Sequence, residues 1–203
     1  PDHFIPMAER HDYIHTLSKI ILNKTCRQIK RLEQEGYQID RVSVNFSILE
    51  FRRKEFCKDV MDIIRQNEIP YEKVAIELTE SWNETEFDNI KNTSLQKLGI
   101  KFYLDDFGTG YSNFERIIGL PIDVIKFDRS LTILAGKNAE SRYMVGSFSD
   151  IFKNSHYEIL FEGVENEKDE DQCKQMNALY LQGYKYSKPI PIEELTRFLG
   201  RAV

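Results

Sequence analysis

Residues 103–112 read Tyr103-Leu104-Asp105-Asp106-Phe107-Gly108-Thr109-Gly110-Tyr111-Ser112, an apolar run that ends in two adjacent carboxylates and a loop with two glycines. Apolar runs bounded by glycine predict a buried strand. Two acids at the exit of such a strand are costly unless a positive charge neutralises them, and hard divalent cations prefer oxygen ligands. Either the two acids bind metal, or Asp105 caps the next helix and Asp106 is solvated. The rest of the chain favours the metal.

Segments on either side of this stretch have the composition of strands, and helical signals separate them. The predicted strands are Arg41–Phe46, Val74–Leu78, the stretch above, Asp123–Phe127, Tyr157–Phe161 and Ala178–Leu181. The first predicted helix is 11–35. The second follows a Ser47–Glu50 capping box and carries Phe56 to Ile64, and the third runs from Phe87 to Leu98 and ends at Gly99. Further helices are predicted from near Ser112, over 138–155, over 167–177 and after Pro191. This alternation predicts a parallel sheet with helical crossovers, either doubly wound or closed into a barrel.

Polar residues at the carboxyl ends of the predicted strands distinguish between these two folds. They are Asn45, Glu77, Asp105 with Asp106, Lys126, Glu162 and Gln182. In a barrel all strand ends converge on one mouth, where active sites are built. A doubly wound sheet would draw its site from the two or three strands nearest the switch point. The sequence therefore predicts an α/β fold of the TIM-like (β/α)8 barrel type, with the first two strands absent from this chain.

Composition narrows the possible functions. The 203 residues carry 28 Lys+Arg against 33 Asp+Glu, and no basic run suggests binding to polymeric nucleic acid. No apolar run reaches membrane-spanning length, and no signal peptide is visible. Three widely spaced cysteines predict neither a zinc knuckle nor a disulfide framework, and free thiols fit a reducing cytoplasm. His3, His11 and His15 are expected at the surface of a helix start, and His156 needs no special role.

The set of strand-end residues offers only oxygen ligands. Four carboxylates and one amide favour magnesium or manganese over zinc or copper, and such a set can hold the metal pair used in phosphoryl transfer. Lys126 would supply a fixed positive charge, and Gln182 could hydrogen-bond a ligand. Alternatives remain open at this point: Lys126 as an ion-pair partner of Asp105 or Asp106 in a metal-free site, and Glu162 as an acceptor of backbone hydrogen bonds.

The same residues carry a resemblance to the EAL domain family, the bacterial cyclic di-GMP phosphodiesterases. The similar segments run in the family's order from the first residue to about Phe198. They are Phe4–Glu9, Val44–Ser47, Ile76–Glu80, Leu104–Ser112, Leu120–Asp128, Glu162–Glu165 and Gln182–Tyr184. The resemblance implies one EAL-type domain over 1–203 that hydrolyses cyclic di-GMP to linear pGpG.

The resemblance also implies roles for individual residues. Two divalent ions, Mg²⁺ or Mn²⁺, would be held by Asn45, Glu77, Asp105, Asp106 and Glu162. Lys126 would assist the attacking water, and Glu162 is a candidate general base. Glu80 would anchor the loop 107–112, which includes Gly108, while Gln182 and Glu165 would support the site or the guanine end. A homodimer is implied, with sensory or GGDEF domains, and in some proteins a membrane anchor, outside this chain.

One departure from the family pattern is serious. The Glu-Ala-Leu segment, whose Glu is a metal ligand in the family, lies on an early strand and is missing from this sequence. We therefore expect further residues before Pro1 that form the two missing strands, with the first and last strands of this chain at the edges of the sheet. A non-catalytic cyclic di-GMP receptor or protein-interaction module is the second hypothesis, because degenerate members of the family usually lose metal ligands.

Overall fold

The structure, a computed structural model, describes residues 3–79, 88–90, 93–110 and 114–200. Six strands alternate with helices in these residues. The strands are β1 (Val42–Asn45), β2 (Val74–Thr79), β3 (Lys101–Phe107), β4 (Val124–Phe127), β5 (Glu158–Phe161) and β6 (Tyr180–Leu181). Their order in the sheet is the order in the chain, so β1 and β6 are its end strands, as expected. The predicted α/β alternation is confirmed.

Helices and 3-10 turns connect the strands. The helices are α1 (Phe4–Arg10), α2 (Ile14–Gln34), α3 (Phe56–Gln66), α4 (Phe114–Gly119), α5 (Arg129–Lys137), α6 (Ala139–Asn154), α7 (Glu167–Gln175) and α8 (Ile192–Leu199). The 3-10 turns are Ile48–Arg52, Tyr71–Lys73 and Gln96–Leu98. The chain divides into two compact units: Pro1–Tyr103 with Phe114–Pro121, and Leu104–Asn113 with Ile122–Val203.

The first unit is built on the parallel pair β1 and β2. Val42 is in register with Val74, and Asn45 is in register with Glu77. The strand β2 is buried along five of its six residues, as a strand covered on both faces requires. The long helix α2 buries one apolar stripe, which includes Leu22. The hydrophobic core of this unit therefore forms between the strand pair and its covering helices.

Three sequence expectations in this unit need correction. The Ser47–Glu50 capping box exists, but it starts the 3-10 turn Ile48–Arg52 rather than α3. The predicted helix from Phe87 to Leu98 is wrong at its end, because Gln96–Leu98 is a 3-10 turn and Leu98 is 38% exposed. His15 is buried rather than exposed, because its ring lies between two acids of other elements.

The second unit has an aromatic core. The rings of Phe107 and Phe127 lie 5.1 Å apart, and Phe152 of α6 meets the Phe107 ring edge-on at 5.0 Å. Phe161 of β5 extends the cluster, with its ring centroid 4.7 Å from that of Phe127. Aromatic pairs at these distances add to the free energy gained from burial alone. The core thus fixes the ends of β3, β4 and β5, where the polar residues of the predicted site lie.

Side-chain caps set where the helices of the second unit begin. Asp128 accepts from the Ser130 N–H at the start of α5, and Asn138 and Asn166 cap α6 and α7 in the same way. Such caps satisfy N–H groups that have no partner inside the helix. The cap at Asp128 matters most for the site, because α5 follows β4 after this single residue. In the described part of the chain, no helix combines the length and apolar character needed to cross a bilayer.

Candidate active site

Three carboxylates meet in the second unit. Asp105 and Asp106 lie near the end of β3, and Glu162 directly follows β5. Each residue offers an oxygen that lies within 4.8 Å of the other two. Glu162 is distant in sequence from the adjacent Asp105 and Asp106, and the sheet brings them together. The donor atoms are all carboxylate oxygens, which suits magnesium or manganese.

The backbone at Asp106 explains how two consecutive residues serve one cluster. Side chains of successive strand residues ordinarily point to opposite faces. Asp106 has a φ of 57°, in the left-handed region that Asp tolerates better than most residues. The Thr109 N–H and hydroxyl both donate to the Asp106 carbonyl, at 3.2 and 3.0 Å. This turn breaks the alternation of the strand and allows both carboxylates to contribute.

Gly108 completes the turn. Its φ is 101°, and a Cβ built at this position would lie 2.6 Å from the Leu131 side chain. Both observations require glycine here. Gly108 is therefore a backbone element of the site. Glu80, which the resemblance also connects with this loop, lies outside the described residues.

Lys126 provides the positive charge of the cluster. Its side chain is 4% exposed, and Nζ lies 2.7 Å from Asp105 Oδ1 and 2.9 Å from Glu162 Oε1. A buried ammonium is tolerated when it is paired and hydrogen-bonded. Three carboxylates against one ammonium leave the cluster negative, so the residues fit an additional cation. The ion-pair interpretation of Lys126 and the metal interpretation of the acids are thus compatible.

The backbone of Glu162 is held on both sides. Its N–H donates to the Phe127 carbonyl at 3.0 Å, and its carbonyl accepts from the Thr132 hydroxyl at 2.6 Å. Gly163 follows with a φ of 70°, and a Cβ there would lie 2.2 Å from Cγ of Arg129. The first turn of α5 therefore lies against the peptide that carries Glu162.

A pocket of about 610 Å³ adjoins Glu162 in the same unit. Its polar lining includes Arg129, Glu165 and Gln182, and the Arg129 guanidinium donates to Glu165 Oε1 at 2.6 Å. An apolar wall faces these residues and is formed by Tyr184, Pro189, Ile190, Leu195 and Phe198. Ligand pockets commonly have this composition, with apolar walls and a few placed polar groups.

The other predicted ligands, Asn45 and Glu77, belong to the first unit. They are register partners at the ends of β1 and β2, and the Phe46 N–H donates to the Glu77 carbonyl at 3.0 Å. Glu77 is buried and Asn45 is exposed. Their pairing places an amide and a carboxylate side by side at one sheet end.

Two residues at the second unit's site were missed from the sequence. Arg129 lines the pocket, and Thr132 holds the Glu162 carbonyl. Both lie on α5, a short helix that the sequence periodicity did not reveal. The Asp128 cap directly after a strand was the available signal, because it predicts a helix whose first turn faces the strand ends.

A model of the EAL domain family matches residues 1–189. The chain belongs to the EAL domain family. The oxygen sensor protein DosP of Escherichia coli (strain K12) is 29% identical to this EAL domain over 204 residues, covering 98% of this chain and 25% of DosP. Cyclic di-GMP phosphodiesterase PdeL of the same strain is 30% identical over 196 residues, covering 94% of this chain and 53% of PdeL.

Solved structures confirm the predicted TIM-like fold. The structure described as PaMucR phosphodiesterase in complex with c-di-GMP matches this EAL domain with a TM-score of 0.84 and 26% identity, covering 96% of this chain and 80% of that chain. The EAL domain of Mycobacterium smegmatis DcpA matches with a TM-score of 0.83 and 26% identity, covering 91% and 84%. This EAL domain spans a quarter of DosP and about half of PdeL.

Proposed function

We propose that this EAL domain is a metal-dependent phosphodiesterase that hydrolyses cyclic di-GMP to linear pGpG. The observation that carries the proposal is the cluster of Asp105, Asp106 and Glu162 around the buried Lys126, beside a pocket of nucleotide size. PdeL is named a cyclic di-GMP phosphodiesterase, and PaMucR is described as a phosphodiesterase in complex with c-di-GMP.

Five oxygen-donor residues would hold two Mg²⁺ or Mn²⁺ ions: Asn45, Glu77, Asp105, Asp106 and Glu162. When bound, such a pair lowers the pKa of a water molecule and stabilises negative charge on the leaving oxygen of a phosphodiester. The cluster of Asp105, Asp106 and Glu162, three carboxylates that are accessible in part, supports this role.

Lys126 would orient the attacking water and offset charge on the phosphate. Its position between Asp105 and Glu162 supports the role, because both carboxylates hold its ammonium in one place. A fixed positive charge aimed at developing negative charge is among the strongest catalytic devices. Glu162 would accept the proton of the water, although a carboxylate that binds metal and Lys126 is a weak base.

The pocket would receive one guanine of the dinucleotide. Glu165 can accept hydrogen bonds from the N–H groups of guanine, and the Gln182 amide can both donate and accept. Tyr184 and Phe198 offer faces on which a base can stack. Arg129 would balance the charge of Glu165 and face a phosphate oxygen at the polar end of the pocket.

We extend the proposal to assembly and location. Residues 1–203 would act as one EAL-type domain within a longer protein that carries sensory or GGDEF domains. A homodimer would form, and the apolar side chains that α6 exposes, Tyr143, Met144 and Ile151, support a contact surface. Three free cysteines fit a cytoplasmic protein.

Hydrolysis of cyclic di-GMP, followed by chromatography of the products, tests the activity. We expect the protein to release pGpG in Mg²⁺ or Mn²⁺. Tight binding of cyclic di-GMP without release of pGpG would replace the enzyme by a receptor.

A further inference from the structure

Thr132 of α5 makes a short hydrogen bond to the backbone of Glu162, a residue of the candidate site. Its side chain is 4% exposed, and its hydroxyl donates to the Glu162 carbonyl at 2.6 Å. The carboxylate of the same glutamate lies 2.9 Å from Lys126 and within the acidic cluster. One hydroxyl therefore binds the peptide of a residue whose side chain belongs to the proposed metal centre.

A third residue extends this contact. The Cys173 thiol of α7 is fully buried beside Thr132. Burial raises the pKa of Cys173 to about 12, so the group is a neutral thiol. The single proton of the Thr132 hydroxyl is donated to the Glu162 carbonyl.

Fixing the Glu162 carbonyl constrains the Glu162 side chain. The N–H of this residue is already bound to Phe127, so a second bond at the carbonyl leaves little rotation of the backbone on either side of its Cα. The direction of the Cα–Cβ bond follows from that backbone. Gly163, with its φ of 70°, is a point where the chain would otherwise turn readily.

We propose that Thr132 is a positioning residue that holds the Glu162 carboxylate in the geometry needed for divalent metal. This inference rests on the proposed function of the same site and adds a residue that does not touch metal or substrate. Residues that hydrogen-bond a metal ligand and orient it commonly alter metal affinity when they are replaced. Thr132 acts on the Glu162 side chain indirectly, through its hydrogen bond to the main chain of that residue.

Thr132→Val removes the hydroxyl and keeps the shape, whereas Thr132→Ser keeps the hydroxyl. Mn²⁺ affinity is measured by electron paramagnetic resonance on the protein without substrate. We expect Val to weaken Mn²⁺ binding about 10-fold, the lower end for such partners, and Ser to restore it to near wild type. In hydrolysis, kcat should fall more than KM rises.

The chain offers a matched control. Thr93 is also a buried threonine with a cysteine partner, since its hydroxyl lies 3.4 Å from Cys57 Sγ in the first unit. Thr93→Val should lose similar thermal stability without a change in Mn²⁺ affinity. If Thr132→Val does not fold, Thr132→Ala and Thr93→Ala replace the pair, because alanine introduces no new group.

Three results overturn the inference: equal Mn²⁺ affinity in Thr132→Val and wild type, an equal loss in Thr93→Val, or no Mn²⁺ binding by the wild type. Failure of the proposed activity is distinguishable from all three. A wild-type protein that binds Mn²⁺ but does not hydrolyse cyclic di-GMP contradicts the phosphodiesterase and leaves the affinity comparison intact.

Discussion

Glu162 and Glu50 are two largely buried carboxyl groups of this chain in different surroundings. Glu162 lies 2.9 Å from the ammonium of Lys126 in the second unit. Glu50, 1% exposed in the first unit, accepts from the Ser18 hydroxyl at 2.7 Å and the Ser47 N–H at 3.2 Å. Burial raises the pKa of Glu50 to about 7, and the hydrogen bonds from Ser18 and Ser47 only partly oppose this.

The comparison separates two ways of tolerating a buried acid. A carboxylate beside a buried ammonium is paired as an ion and can also share a metal. A carboxyl whose hydrogen bonds come from a hydroxyl and a backbone N–H holds its proton more tightly instead, because desolvation disfavours its charge. Burial and the neighbouring groups together determine whether a glutamate is suited to cation chemistry.

Removal of metal should have the largest effect. In excess chelator we expect cyclic di-GMP hydrolysis to stop, and Mg²⁺ or Mn²⁺ should restore it. Ca²⁺ should not replace them, because its coordination is larger and looser. The measurement is pGpG release in matched buffers. Full turnover in chelator would contradict the two-metal proposal.

Replacing either acid of β3 should have the next largest effect. Asp105→Asn and Asp106→Asn keep the shape and remove one charge, and each should lower kcat by at least about 100-fold, as loss of transition-state stabilisation commonly does. Thermal melting should show a folded protein, because Lys126 keeps Glu162 as a carboxylate partner in both variants. Asp62→Asn, which breaks a surface pair with Lys58, is the control and should keep full activity. A variant that unfolds would favour a purely structural role for the acids.

Lys126→Met tests the ion-paired carboxylate of the comparison, Glu162. It removes the ammonium between Asp105 and Glu162, and in chelator we expect a loss of about 3–5 kcal/mol in unfolding free energy, as when a buried pair loses one partner. Mn²⁺ should recover part of this loss by supplying positive charge. Lys30→Met, which breaks the exposed pair with Glu68, should cost less than about 1 kcal/mol. Equal stability of Lys126→Met and wild type in chelator would show that the ammonium does not balance the cluster.

Glu50→Gln tests the carboxyl group with the raised pKa, Glu50, and should have the smallest effect on stability. The pKa of Glu50 is raised from 4.5 to about 7, so its stabilising contribution is fully present below pH 4.5 and is lost as the pH rises through about 7. A glutamine does not titrate and can accept the same two hydrogen bonds. We expect the variant to gain stability over wild type at pH 8 relative to pH 5, by at most about 3 kcal/mol.

Urea unfolding at pH 5 and pH 8 measures this difference. Glu55→Gln, a change at an exposed neighbour, is the control and should follow wild type at both values. A difference between Glu50→Gln and wild type that does not change with pH would mean that Glu50 remains charged at pH 5.

The sequence predicted the strand ends well and the helix contacts poorly. Asp105 and Glu162 follow apolar runs of strand length that glycines bound, so their convergence followed from the predicted parallel topology. Thr132 and His15 were missed because their importance lies in contacts with other elements. His15 Nε2 meets Asp59 Oδ2 at 2.9 Å, a contact between α2 and α3 that no local pattern reveals.

Lys126 has a consequence for the life of the protein when metal is scarce. Its ammonium is covalently part of the chain, so it cannot be washed out or captured by a competing chelator. Without ions, the acids of the proposed metal centre would keep this counter-charge. Metal shortage would then stop the proposed hydrolysis reversibly, because the fold would remain intact until ions return.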